Sequence, residues 1–127
     1  MAEFVFDASA ILAVAFNETG SEKVIARMRR ACVSSVNYSE ACAKMIDKGF
    51  GSSEASDWLD ALQIEVVDFA RPEALEAAAI RETVAWKRIS FTDRACVSLA
   101  ARIGAAAVTT DRIWTNLDLP CRIELIR

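Results

Sequence analysis

Four acids in this chain of 127 residues stand where carboxylates can do chemistry: Asp7, Glu40, Asp93 and Asp111. Asp7 closes the apolar run Phe4-Val5-Phe6, and Asp111 follows the small-residue run Ala105 to Val108 and two threonines. Asp93 lies near the start of one helical pattern, and Glu40 in the first turns of another. Acids brought to one place without a neutralising base repel one another unless a cation sits among them. An all-oxygen donor set with room for water selects magnesium, with manganese as the alternative. The chain has no histidine, which excludes a Ser-His-Asp or Cys-His apparatus and any histidine-bound metal. Neither a Gly-x-x-x-x-Gly-Lys loop nor a Gly-x-Gly-x-x-Gly turn is present, so nucleotide-cofactor chemistry lacks its usual cradle. Each acid also has an ordinary reading. Asp7, Asp93 and Asp111 are all placed to cap helices, and Glu40 can pair with Lys44 one turn on. Position alone leaves both readings open.

The elements that must position these acids are legible in the pattern. Phe4-Val5-Phe6 reads as a strand buried on both faces, as in a parallel sheet. Ala10, Ile11, Leu12, Val14 and Ala15 follow as a buried helix. A helix from Ser21 or Glu22 carries Val24, Ile25 and Met28, and Ala31 to Ser34 is a second strand. Ser34-Ser35 caps a helix over Val36 to Lys48 with Tyr38, Ala41, Cys42, Met45 and Ile46 on one face, ended by Gly49 and Gly51. Ala55, Trp58, Leu59 and Leu62 line the next helix, and Ile64 to Phe69 is a strong strand signal. Pro72 opens an alanine-rich helix running to about Trp86. After the connection Lys87 to Phe91, a helix from Thr92 or Asp93 buries Cys96, Leu99, Ala100 and Ile103 and stops at Gly104. Strands at Ala105 to Val108 and Arg122 to Ile126 complete the set. Strict alternation of this kind predicts an α/β fold with a mainly parallel sheet and right-handed crossovers. In such sheets ligands sit beyond the carboxyl ends of the strands. That is where all four acids are expected.

A chain of this length, 54% hydrophobic and with two prolines, is expected to fold as one domain over residues 1–127. Apolar runs too short to span a bilayer, and the absence of a basic start at Met1-Ala2-Glu3, predict a cytosolic protein without a membrane segment. Cys32, Cys42, Cys96 and Cys121 are scattered and read as small hydrophobes, neither a zinc site nor a disulfide framework. The net charge of −3 is not that of a nucleic-acid binder as a whole. Basic clusters are local, at Arg27 to Arg30 and Lys87-Arg88. Trp58 and Trp86 are expected as core or subunit contacts on amphipathic helices, in preference to base stacking.

Four segments together are similar to the acidic motifs of PIN-domain ribonucleases: Val5-Phe6-Asp7-Ala8-Ser9-Ala10, Ser35-Val36-Asn37-Tyr38-Ser39-Glu40, Ser90-Phe91-Thr92-Asp93-Arg94-Ala95-Cys96 and Val108-Thr109-Thr110-Asp111-Arg112-Ile113-Trp114. The likeness is greatest to VapC toxins of bacterial toxin–antitoxin pairs and covers essentially the whole chain. It implies a PIN-like α/β/α sandwich with its acids at the carboxyl edge of the sheet. It also implies a magnesium-dependent endoribonuclease that cuts tRNA or ribosomal RNA. Asp7, Glu40, Asp93 and Asp111 match the metal-site quartet, with Asp7 and Asp93 the most direct ligands and Ser9 and Thr109 as supporting hydroxyls. Lys87, Arg88, Arg94 and Arg112, which flank two motifs, are expected to supply phosphate contacts. The resemblance further implies a homodimer and a VapB-type antitoxin seated in a groove, to which Leu12, Phe16, Val24 and Met28 are assigned. Two other readings compete. One is a PIN-like module that binds RNA or protein without catalysis, disfavoured because all four acids are present. The other is a receiver-type signalling domain, which needs a second acid beside the first and a lysine after the last strand, neither of which is found.

Overall fold

Short strands of Val, Phe, Cys and Ala alternating with helices become a wholly parallel five-stranded sheet in the computed structural model, which describes residues 1–127. The strands are β1 (Phe4–Phe6), β2 (Ala31–Ser34), β3 (Glu65–Val67), β4 (Ala106–Thr109) and β5 (Arg122–Leu125). Between them run α1 (Ala8–Ala15), α2 (Ser21–Arg27), α3 (Ser35–Asp47), α4 (Ser52–Ala61), α5 (Arg71–Ala79) and α6 (Phe91–Ile103). The strand order is β3-β2-β1-β4-β5. The chain therefore steps outward from β1 to β3, then returns to lay β4 on the other flank of β1. That reversal opens a crevice between the carboxyl ends of β1 and β4, the favoured ligand position of open α/β sheets.

Side chains alternate across the sheet with a period of two. Phe6, Val33 and Val108 point into a core shared with α1, α2, α3 and α4. Val5, Cys32 and Ala107 point the other way, against α6, Trp114 and the segment that follows α5. The sheet is thus the middle of three layers, the α/β/α sandwich that the resemblance implies, with the parallel sheet that the alternation predicts. No helix is long and apolar enough to cross a membrane. All four cysteines are free, with Cys32 and Cys96 buried.

Several local expectations are corrected. The helix predicted to reach Trp86 ends at Ala79, continues as a 3₁₀ turn over Ile80–Glu82, and leaves Trp86 in a turn at 64% exposure. Ile80, Val84 and Ile89 are all buried. Nine residues of α-helix would rotate Ile89 to the face opposite Ile80, so the chain must leave the helix to bury both. Trp86 is therefore no core residue, whereas Trp58 packs against the first core. Ile25 and Ile46 are exposed and do not belong to the inner faces of their helices. The strong apolar signal at Ile64 to Phe69 is realised over only Glu65–Val67, at the sheet edge, where Val66 stays exposed. Val24 is fully buried and cannot line a groove. Met28 is half-buried against the first core, while Leu12 and Phe16 face a cleft of about 290 Å³ with Ser9, Glu18, Lys44, Asp47 and Lys48.

Candidate active site

The β1–β4 pairing builds the centre of the site. Phe6 stands in register with Val108, and the Asp7 amide donates to the Val108 carbonyl at 3.1 Å. The Asp7 carboxylate consequently lies beside Thr109. Its Oδ2 accepts the Thr109 hydroxyl at 2.6 Å, and its Oδ1 accepts the Ser9 hydroxyl at 2.6 Å and the Ala10 amide at 2.9 Å. The Ala10 bond is an N-cap of α1, so Asp7 is a capping residue as well as a buried acid. Ser9 and Thr109 are themselves held, accepting the amides of Thr110 and Asp111, each at 3.0 Å. Two hydroxyls thus tie the first acid to the turn that carries the last one.

Asp93 and Asp111 arrive at the starts of helical segments, and Glu40 from within α3. Ser90 and Asp93 form a capping box at the head of α6. The Ser90 amide donates to Asp93 Oδ2 at 3.1 Å, and the Asp93 amide to the Ser90 hydroxyl at 3.2 Å. Ser90 rather than Thr92 or Asp93 is therefore the cap, and α6 begins at Phe91. Asp111 caps the 3₁₀ turn Arg112–Asn116 by accepting the Ile113 amide at 3.0 Å. Glu40, on α3, accepts the Thr92 hydroxyl at 2.9 Å through Oε2 and lies 3.8 Å from the Lys44 ammonium.

All four acids line one cavity of about 310 Å³, together with Ala8, Ser9, Lys44 and Thr110. Burial pushes the Asp7 carboxyl up to about 6, against the lowering bonds from Ser9, Thr109 and Ala10, with Asp93 adding repulsion. Burial also raises Asp93 above the usual carboxylate range; its Ser90 bonds oppose this, and Glu40 and Asp111 reinforce it. Burial is the main cause of both shifts and repulsion among the carboxylates adds to it; a bound cation would offset both. The side chains as they stand do not close three at a time around one point. Yet Asp93 Oδ1, Asp111 Oδ2 and Glu40 Oε1 have no hydrogen-bond partner in the chain, because each cap or clasp engages only the other oxygen. The donor set is hard, anionic and free of nitrogen and sulfur ligands, which fits magnesium or manganese.

Two residues that touch Glu40, Lys44 and Thr92, escape the sequence pattern as functional candidates. Lys44 was visible only as the partner of Glu40, yet i,i+4 spacing carries it wherever Glu40 points. Thr92 looked like a helix start, and its bond to Glu40 spans 52 residues of chain. Among the four expected phosphate contacts, Lys87, Arg88 and Arg112 are exposed. Lys87 lies over the Trp86 ring at 5.6 Å. Arg94 is half-buried: it donates to the Ala77 carbonyl at 2.9 Å and sits 5.8 Å from the Phe91 ring centre, fastening α6 to α5. None of the four lines the acidic cavity.

Comparison with known proteins follows the same lines. The family model for the PIN domain matches residues 4–119. No curated protein sequence matches the chain. Among solved structures, a chain of DNA-bound VapBC from Salmonella typhimurium is similar over 100% of both chains, with a TM-score of 0.79 and 21% identity. A chain of VapBC2 from Rickettsia felis, bound to a promoter DNA fragment, has a TM-score of 0.74 at 15% identity, covering 95% of this chain and 96% of that one. A toxin–antitoxin complex from Klebsiella pneumoniae has a TM-score of 0.74 at 11% identity, covering 100% of this chain and 98% of that one. At these identities the likeness is one of fold.

Proposed function

Since the chain belongs to the PIN domain family, we propose that it is a metal-dependent endoribonuclease, the toxin of a VapBC-type toxin–antitoxin pair, formed by one domain over residues 1–127. The observation that carries this reading is the convergence of Asp7, Glu40, Asp93 and Asp111 on one cavity at the carboxyl edge of the sheet. Asp7 and Asp93 are the most direct ligands, and Asp111 and Glu40 complete the set. When bound, magnesium or manganese supplies an activated water and offsets charge on the phosphate. Ser9 and Thr109 hold both oxygens of Asp7, so that carboxylate is oriented before any ligand arrives. Water as the nucleophile makes a histidine to activate the ribose hydroxyl unnecessary. Cleavage of total RNA in magnesium, lost on adding a chelator and regained with excess metal, tests the reading. Cleavage indifferent to chelator would reject it.

The substrate in this reading is a structured RNA, tRNA or ribosomal RNA, in the cytosol. Lys87, Arg88 and Arg112 are exposed and available to the phosphate backbone beyond the cavity, with Arg94 in a supporting place. Replacing Lys87 and Arg88 together by alanine is expected to raise KM about tenfold at low salt and to flatten its salt dependence, with kcat nearly unchanged. An unaltered salt slope would remove them from the interface. The partner in this reading is a small VapB-type antitoxin, and the assembly a homodimer of toxin with antitoxin. The cleft at Leu12 and Phe16 suits such a partner. It shares Ser9 and Lys44 with the acidic cavity, so a segment lying in it reaches the acids and can place a basic side chain among them.

A further inference from the structure

Glu40 and Asp93 come from different helices, and one residue joins them. Thr92 is the second residue of α6. Its hydroxyl donates to Glu40 Oε2 at 2.9 Å, and its carbonyl accepts Asn37 Nδ2 at 2.9 Å. Asn37 and Glu40 are three apart on α3 and so share the face turned toward the head of α6. The Ser90 hydroxyl lies 3.2 Å from the Thr92 hydroxyl. Because the Thr92 proton goes to Glu40, the Ser90 proton is directed to Thr92. Ser90 in turn accepts the Asp93 amide at 3.2 Å. One hydrogen-bonded line therefore runs from the cap of Asp93 through Ser90 and Thr92 to Glu40.

Asn37 points the same way. It is wholly buried, and its Oδ1 has no partner, an arrangement that costs stability. A purely aliphatic side chain would avoid that cost. Packing alone does not account for an amide here, whereas its bond to the Thr92 carbonyl does.

We propose that Thr92, anchored by Asn37, is a positioning residue that fixes Glu40 in its ligand pose beside Asp93 and so sets divalent-cation affinity. The inference rests on the cation-binding reading above. Engaging Oε2 holds the side chain in place and leaves Oε1 to face the cavity. Without the hydroxyl, the carboxylate is free to swing toward Lys44, already 3.8 Å away.

The test is manganese binding to the full chain, followed by calorimetry and by the electron paramagnetic resonance of free ion, without RNA. Thr92→Val and Thr92→Ala, which remove the hydroxyl, are expected to weaken manganese about tenfold with the thermal midpoint of the cation-free protein little changed. Thr92→Ser is expected to restore wild-type affinity. In a Glu40→Ala background, Thr92→Val is expected to add no further loss, since its effect runs through Glu40. Unchanged affinity in Thr92→Val, equal weakening in Thr92→Ser, or full additivity with Glu40→Ala would each overturn the assignment. A wild type that binds no manganese would overturn the underlying cation site, and this inference with it.

Discussion

Asp7→Asn is expected to reduce RNA cleavage about a thousandfold or more while making the cation-free protein more stable. The first effect follows from removing an anionic ligand at the centre of the proposed site, where a lost charge interaction has its largest kinetic consequence. The second follows from burial. Asp7 is 5% exposed, and its carboxyl is raised from 3.8 to about 6. At neutral pH the folded protein thus holds an ionised group that it would rather keep neutral, a cost of about 3 kcal/mol. Asparagine keeps the oxygen that accepts Ser9 and Ala10 and loses only the acceptor facing Thr109. That bond is worth about 1 kcal/mol. The net gain is about 1–2 kcal/mol, seen as a rise of several degrees in the thermal midpoint with chelator present. Loss of activity with gain of stability separates a missing ligand from a damaged fold. A variant that cleaves normally, or one that melts earlier, would contradict this account of Asp7.

Acidification should pull stability and activity in opposite directions. The folded carboxyl of Asp7 titrates at about 6, above its unfolded value of 3.8. Between those values the folded protein holds a proton that the unfolded chain has released, so stability falls as pH rises through the window. The cation-free protein is therefore expected to be more stable at pH 5 than at pH 7.5, by about 1.4 kcal/mol from this group. Cation binding needs the ionised form and must displace that proton. Below about pH 6, affinity for magnesium is expected to drop about tenfold per pH unit from Asp7 alone, and more steeply because Asp93 is also raised. Calorimetry in two buffers of different ionisation enthalpy would register the proton released on binding. A flat affinity between pH 5 and pH 7.5 would show that neither acid is a ligand. In Asp7→Asn the acid stabilisation should largely vanish.

How much of this was legible in the sequence depended on whether the signal was local. Apolar runs of three or four residues ending in Asp7 and Thr109-Thr110-Asp111 marked the strands and their edge, and the parallel sheet followed from alternation. The capping readings of Asp7, Asp93 and Asp111 are all realised, and they leave the proposed ligand role open to the same carboxylates. Each accepts backbone amides at a helix or 3₁₀ start, and Asp93 and Asp111 do so through one oxygen alone. Capping and facing the cavity use different lone pairs of one carboxylate. Alanine propensity carried the helix reading to Trp86, but burial of Val84 and Ile89 redirected the chain, a tertiary demand that no window of residues displays. Val24 was assigned to a groove because it is apolar on a short helix, and it serves the core instead. Thr92 and Asn37 were missed for the opposite reason. Their partners lie 52 and 55 residues away in sequence, and only the docking of α3 on α6 creates the contact.

The most direct test of the central claim is to map the ends of RNA fragments made by the wild-type chain and by Asp93→Asn, each with magnesium and with chelator. The account predicts discrete fragments from the wild type in magnesium alone, with termini of a water-driven hydrolysis and no cyclic phosphate. Fragments common to the wild type and Asp93→Asn, or ends bearing a cyclic phosphate, would contradict it.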